Sequence, residues 1–546
     1  MNKILLAASA SGLLALSSLA GTATVKMNPG ENWWGGANFF GTKMPFTEKT
    51  ELCIDLRRDN YHNQCASLLV SDQGRVVWAD AQALFTLKDG TITVEAASDV
   101  VVETAGASLP EAYRHAMRKW FPASGRMPDP LFFSAPQINT WIELTYHQNE
   151  KDILKYAQAM LDNGVPAGVL MIDDTWQAGY GDWRFEPTRF RDPKGMMDRL
   201  HAMGYKVMLW MCPYVGMDIP AFRRIAWGTN PDDVKGYPVK GGFLAEKGKR
   251  PAANGRVAAK PCHWWNGISA FLDFSHPNAN AWFTETLDGL VRDYGVDGFK
   301  LDGADLTAYN LDTCEALDPK ATNGSLNNGY AAYALKYPFC EIRNLWRLQQ
   351  MPVVVRLHDK PHTWEALRRI TADMIAAGLI GQPFICPDMV GGGEWTTFIP
   401  GSPFEPDLFV RSAQIHALCP MMQFSASPWR ILDAERQKIV RDTVALRQKF
   451  APLFVELARK AAVDGEPILR SLEYNYPNQG YAAVIDEFMM GTDLLVAPQM
   501  DKGAATRTVV VPPGTWTADD GTTVVGPKTV TVATPLSRLP HFVRAK

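Results

Sequence analysis

Between about residues 126 and 455, short apolar runs alternate with helix-length amphipathic segments, and this alternation limits the chain's architecture more than any other feature. Val169-Leu170-Met171-Ile172 follows the stretch Lys151 to Asn163, and Lys206 to Trp210 follows Met196 to Met203. Gly298 to Leu301 follows Ala281 to Tyr294, and Pro352 to Val355 and Leu379 to Ile385 continue the series. Unbroken apolar runs are what parallel strands, covered on both faces, require. Repeated βα units over some 330 residues predict a (β/α)8 barrel rather than a doubly wound sheet. No G-x-G-x-x-G follows a strand, so nothing recommends a dinucleotide site. The stretch 218–265 is long, Gly/Lys-rich and weakly periodic, and reads as an insertion between two barrel units.

The flanks read differently. Over residues 21–125, short alternating runs such as Ser67 to Val70, Gly74 to Trp78, Leu84 to Leu87 and Thr91 to Val94 are separated by turn residues. They predict an N-terminal antiparallel β-sandwich. Over residues 456–546 the pattern returns to β, with Tyr481 to Ile485, Leu494 to Val496, Arg507 to Val511 and Thr529 to Val532. A small C-terminal β-sandwich packed on the barrel is the simplest account. The fold class is therefore multidomain α/β plus β: a (β/α)8 TIM barrel flanked by two β-sandwiches.

Residues 1–20 read as a signal peptide. Lys3 supplies the positive end, Ile4 to Leu19 are apolar or small, and Ser18-Leu19-Ala20 places cleavage after Ala20. The expectation is export to the periplasm or the outside. No later segment has the 18 uncharged apolar residues of a membrane span, so no membrane association is expected after cleavage. With 55 Lys+Arg against 58 Asp+Glu the net charge is −3, which excludes a polybasic nucleic-acid surface. The 17 Trp, 16 Tyr and 25 Phe suit sugar binding and large cores equally. Eight cysteines in an exported chain could pair. Cys53–Cys65 could close a hairpin and Cys314–Cys340 a loop, but spacing does not decide connectivity, and no signal bears on oligomeric state.

The chemistry lies at strand ends, where barrel active sites sit. Met171-Ile172 runs into Asp173-Asp174, Phe299 to Leu301 into Asp302, Val353 to Leu357 into His358-Asp359, and Phe384 to Cys386 into Pro387-Asp388. One aspartate at a strand end is usually a turn residue or helix cap; four converging on one mouth point to a site. Lys300 and Asp302 lie two apart, so both side chains point the same way and Lys300 is expected to lower the pKa of Asp302. An ionised carboxylate paired with a protonated one is the glycosidase arrangement. A hard-cation site rarely has a Lys between its ligands. Zinc at His358 and His362 is disfavoured by Pro361 between them and by the absence of the H-E-x-x-H glutamate. No G-x-S-x-G follows a strand, and no cofactor is implied.

The segment Tyr294-Gly-Val-Asp-Gly-Phe-Lys-Leu-Asp302-Gly-Ala-Asp resembles the nucleophile strand of glycoside hydrolase family 31. Gly164 to Trp176, Lys206 to Pro213, Trp265-Asn-Gly, Leu272 to Pro277, Pro387-Asp-Met-Val-Gly-Gly392 and Asp486 to Pro498 resemble its other motifs, in order, over roughly residues 130–520. The resemblance implies a retaining mechanism with Asp302 as nucleophile and Asp359, in Asp359-Lys-Pro-His-Thr-Trp364, as acid/base. It implies that Asp173, Asp174, Lys300, Arg356 and Asp388 hold the hydroxyls of the sugar, and that Trp210 and Trp265 wall it. The substrate would be an oligosaccharide or other glycoside. Two departures bear on specificity. The family's Trp-x-Gly-Asp is here Arg356-Leu-His-Asp359. Its Arg-Ser-His, whose His touches glucose in α-glucosidases, is Gln423-Phe-Ser425. These features are similar to the branch holding bacterial α-galactosidases and the animal myogenesis-regulating glycosidase. An α-galactosidase is the expectation, with α-glucosidase, α-xylosidase or sulfoquinovosidase as alternatives. A carbohydrate-binding barrel without catalysis and a metal-dependent aldolase or amidohydrolase are the readings from other classes.

Overall fold

The computed structural model describes residues 21–227, 241–249, 258–399 and 401–545. The expected signal peptide and much of the expected insertion lie outside the described residues. Eight parallel strands form the central sheet. They are β1 (Gln137–Asn139), β2 (Val169–Ile172), β3 (Lys206–Met211), β4 (Gly298–Leu301), β5 (Phe339–Ile342), β6 (Val354–Arg356), β7 (Ile385–Cys386) and β8 (Gln423–Phe424). Each ladder joins sequence neighbours, and β8 pairs back onto β1. No ladder joins β7 to β8 among the described residues; there Val390 N, just past β7, donates to Gln423 O at 2.8 Å. The barrel is thus nearly closed. Every strand residue is buried except Lys206 at the lower end of β3, which is why β2, β3 and β7 read as apolar runs, whereas β1, β4, β5, β6 and β8 each bury polar residues.

Helices α1 (Glu150–Asp162), α2 (Pro193–Ala202), α3 (Pro277–Tyr294) and α4 (Asn323–Ala331) follow the first four strands. Helices α5 (Trp364–Leu379), α6 (Pro406–Ala417) and α7 (Ala434–Asp464) follow β6, β7 and β8. Among the described residues no helix lies between β5 and β6. The N-terminal domain takes that place: Cys65 N donates to Leu345 O at 3.0 Å and Leu345 N to Asn63 O at 3.2 Å. The described part of the expected insertion holds a helix over Pro220–Trp227, the short strand Ala245–Glu246 paired with Cys314–Glu315, and the strand Pro261–Trp264, which joins Gly267–Phe271 and Tyr214–Gly216 in a three-stranded antiparallel sheet beyond the upper end of β3.

The N-terminal domain consists of two four-stranded antiparallel sheets. One orders Gly21–Lys26, Thr91–Ala96, Ala83–Lys88 and Leu52–Asp55; the other orders Trp33–Ala37, Cys65–Ser71, Arg75–Ala79 and Val100–Thr104. Its core is continuous with the barrel's. The C-terminal region is the expected antiparallel sheet domain. It is one six-stranded antiparallel sheet among the described residues, built around the long strands Thr506–Ala518 and Thr523–Ala533. Phe488 and Met490 face the main core, whereas Met489, Leu495 and Trp516 face a second, smaller core. The segment holding Leu472, Tyr476 and Tyr481 packs into that smaller core. Helix α7 runs across the boundary expected at 455/456 and ends at Gly465, whose φ of 74° closes the helix in the left-handed conformation glycine favours. All eight thiols are free, so neither Cys53–Cys65 nor Cys314–Cys340 is bonded. No helix among the described residues is long and apolar enough to cross a membrane.

Candidate active site

The upper strand ends open into a cavity of about 550 Å³. Asp173, Asp174, Trp210, Trp265, Lys300, Asp302 and Asp359 line it, so seven residues picked from the sequence meet in one space. Arg356 and Asp388 do not line it; both are buried beneath Asp359.

Asp302 follows β4 directly. Its Oδ1 accepts from Arg343 Nε at 2.9 Å and from Gly303 N at 2.9 Å, and its Oδ2 accepts from Trp210 Nε1 at 3.1 Å. Burial opposes its charge, but Arg343, Lys300 and Arg356 outweigh burial and hold the carboxyl well below the usual carboxylate range. Lys300 therefore acts on Asp302 as expected, but only from a distance. Its Nζ bonds Asp173 Oδ2 at 2.6 Å in a buried pair. The direct partner is Arg343, in the loop after β5, which no sequence motif singled out. Trp210 lines the cavity with a largely buried indole that also gives its N–H edge to Asp302.

Asp359 stands at the mouth with its side chain 40% exposed. Arg356 Nη1 donates to Asp359 Oδ1 at 2.7 Å and to Asp388 Oδ1 at 3.0 Å, and its Nε donates to Glu341 Oε1 at 3.2 Å. One buried guanidinium thus serves three carboxylates. Asp388 also accepts from the backbone N–H groups of Lys360, Met389 and Gly393. Burial and the charge of Asp359 push its pKa up to about 6, and burial raises Glu341 as well. Asp359 is not a helix cap: Thr363 fills that place for α5, accepting from Ala366 N at 3.2 Å. Glu341 is a second residue that motif reading missed.

Asp173 and Asp174 end β2. Tyr180 Oη, Asn266 Nδ2 and Gln177 Nε2 all donate to Asp174, at 3.0, 2.7 and 3.1 Å. Burial pushes its pKa up to about 6. Trp265 is 48% exposed, the one predicted wall that offers an open ring, and the Arg343 guanidinium lies 5.8 Å from its ring centre. Trp141, Tyr146 and Trp395 also line the cavity and stack edge to face in sequence. His358 and His362 face separate partners. Asn63 Nδ2 donates to His358 Nδ1 at 2.5 Å, whereas His362 Nδ1 faces Gly391 O at 2.8 Å. Ser425 is buried and its Oγ accepts from Ile142 N at 2.7 Å, so it does not reach the cavity.

Comparisons agree with this geometry. The mouse (Mus musculus) "Myogenesis-regulating glycosidase" is 30% identical over 426 residues, covering 76% of this chain and 57% of its own length. The "Alpha-xylosidase" of Emericella nidulans is 25% identical over 417 residues, covering 71% of this chain and 48% of its own length. The chain thus spans roughly half of each relative. A solved family 31 α-xylosidase from a soil metagenome superposes with a TM-score of 0.80 at 20% identity, over 96% of this chain and 79% of that one; it has the same fold. The model for the "Glycosyl hydrolases family 31 TIM-barrel domain" matches residues 137–457 and that for the family's C-terminal domain matches residues 465–546. With well over half the sequence matched and the strand-end carboxylates gathered in one cavity, the chain belongs to glycoside hydrolase family 31.

Proposed function

We propose that the protein is a retaining, exo-acting α-glycosidase that hydrolyses a terminal α-galactoside by double displacement. The carrying observation is the pair of carboxylates in one cavity with different surroundings: Asp302 held ionised by Arg343, and Asp359 at the open mouth. Asp302 Oδ2 has one donor where Oδ1 has two, which leaves Oδ2 the freer lone pair to attack the anomeric carbon. Asp359 would protonate the departing oxygen and then deprotonate the water that opens the glycosyl-enzyme.

The galactose preference rests on the acid pair at the end of β2. An axial 4-hydroxyl needs partners placed differently from an equatorial one, and Asp173 and Asp174 both line the cavity. The position where family α-glucosidases carry a histidine holds Ser425, turned away towards Ile142 N. Sulfoquinovosidase is disfavoured because the cations lining the cavity already serve carboxylates, Lys300 with Asp173 and Arg343 with Asp302 and Asp305. An α-xylosidase is the second reading, favoured by the names of two curated relatives.

The test compares kcat/KM for aryl α-galactoside, α-glucoside and α-xyloside. A buried polar group left unpaired costs roughly 1–3 kcal/mol, so about tenfold or more in favour of galactoside is expected. Equal values or another preference would remove the galactose assignment while leaving the mechanism. Proton NMR of the first sugar released should show the α-anomer; an initial β-anomer would remove the retaining mechanism. Export rests on the sequence of residues 1–20 and is supported by Gly21 already pairing with Ala96 in a strand. N-terminal sequencing of protein recovered from its own cells should begin at Gly21.

A further inference from the structure

A second cavity, of about 440 Å³, adjoins the catalytic one and shares His62, Trp265 and Asp305 with it. Both volumes fall in the range of small-molecule pockets, roughly 300–1,000 Å³. The second cavity is lined mostly by apolar side chains, Leu244 and Phe271 among them, with a minority of polar groups. Lys260 and His263 come from the sheet above β3, and Thr307 and Asn310 from the segment after β4.

The shared wall is built from distant parts of the chain. His62 belongs to the N-terminal domain, where Tyr61 and His62 take successive φ values of 55° and 57°. Two non-glycine residues in the left-handed region persist only where the surroundings hold them. Here Tyr61 N donates to Asp59 Oδ1 at 2.7 Å, and Asp55 N donates to Tyr61 Oη at 3.1 Å. Asn63, next in sequence, grips His358 through both its side-chain atoms. The turn so fixed sends the His62 imidazole to Asp305, with Nδ1 3.1 Å from Oδ1. Asp305 also lies 3.6 Å from Arg343 Nη2, and Arg343 bonds the nucleophile. A chain of charged contacts therefore runs from the second cavity to Asp302. Trp265 stands at the same threshold with half its ring exposed.

We propose that the second cavity is a distal leaving-group subsite, so that the preferred substrate carries at least two sugar rings beyond the scissile bond. This rests on the α-glycosidase reading. The first leaving ring would lie at the threshold against Trp265 and His62, and the second among Lys260, His263, Thr307 and Asn310. The chemistry fits: hydroxyl-rich rings need polar partners along their edges and an apolar plate for one face, and the lining of the second cavity holds both kinds of group. It also gives a role to the strained turn, which holds His62 of the N-terminal domain at the catalytic mouth.

The test uses the full chain and three substrates with the same terminal sugar: a 4-nitrophenyl α-glycoside, a disaccharide with a one-ring leaving group, and a trisaccharide with a two-ring leaving group. The wild type should show kcat/KM at least tenfold higher for the trisaccharide than for the disaccharide. Thr307→Trp, which fills the distal cavity from an exposed position, should abolish that gain while leaving the nitrophenyl glycoside within twofold. Lys260→Ala should reduce the gain through KM and provides a second variant if the tryptophan is not tolerated. Equal wild-type rates on the two oligosaccharides, or variants that slow all three substrates alike, would overturn the subsite while the glycosidase reading stands. No turnover of any α-glycoside would overturn both.

Discussion

Arg343 Nε lies 2.9 Å from Asp302 Oδ1, in a pair whose side chains are only 12% and 13% exposed. The barrel thus sets a cation against its nucleophile from the neighbouring strand end, in a position where water screens little of the charge. Removing Arg343 leaves the carboxylate buried with less compensation, so the pKa of Asp302 must rise. Arg343→Gln should move the acid limb of the kcat/KM profile to higher pH and lower the plateau by about 10²-fold. Arg343→Lys should recover part of both. A variant profile that overlays the wild type would show that Arg343 does not set the state of Asp302. The linked stability has a definite sign. A depressed carboxylate contributes stability that is present above its unfolded pKa and lost on acidification, so Arg343→Gln should show a shallower loss of Tm towards acid.

Asp302→Asn should fold, with a near-wild-type circular dichroism spectrum, and lose roughly 10⁴-fold or more in kcat, the scale of removing a covalent nucleophile. A fluorinated α-glycoside that traps the intermediate should label Asp302 in peptide mapping. A label on another residue would reassign the nucleophile.

Asp359→Ala should damage substrates with poor leaving groups far more than activated aryl glycosides, because only the former need a proton in the first step. Azide should restore turnover of the activated substrate and yield an α-glycosyl azide, since it enters from the face that water uses. Equal damage to both substrate classes, without azide rescue, would place the acid elsewhere.

Glu487 gives a prediction away from the site. It is buried at the start of the C-terminal sheet; Oε1 accepts from Val510 N at 2.9 Å, and Oε2 has no partner among the described residues. Burial pushes its pKa up to about 8, against 4.5 when free. Between those values the folded state holds a proton that the unfolded state has lost, so stability falls as pH rises through the window. Glu487→Gln should remove that slope. It should be more stable relative to wild type at pH 9 than at pH 5, by on the order of 5 kcal/mol at about 1.4 kcal/mol per pKa unit, read as a higher Tm at pH 9 only. A constant difference between the two pH values would show that Glu487 is not the titrating group.

The barrel could be read from sequence because most strands buried on both faces carry apolar runs, and because parallel pairing demands intervening connections that are usually helices. The strand-end aspartates could be read for a related reason. A carboxylate directly after a buried run has nowhere to go but the open end of the sheet, so Asp173, Asp302 and Asp359 were placed by local pattern alone. Their partners were not, because no local rule links residues that meet only through barrel closure. Lys300 lies two residues from Asp302 but bonds Asp173 of a different strand; Arg343 sits in a connection without a helix; Glu341 reads as one polar residue in a short strand. His62 reaches the mouth from another domain, through a left-handed turn that no glycine announces. In the C-terminal sheet, alternation along a strand says only that both faces are covered, not what covers them. Here the segment around Tyr476 and Tyr481 packs into the smaller core on one face, and the main core lies on the other. Sequence alone determined where charge would gather, since burial acts residue by residue. Tertiary structure decided which charges pair and which ionise, since Coulomb interactions depend on distances that only the closed fold establishes.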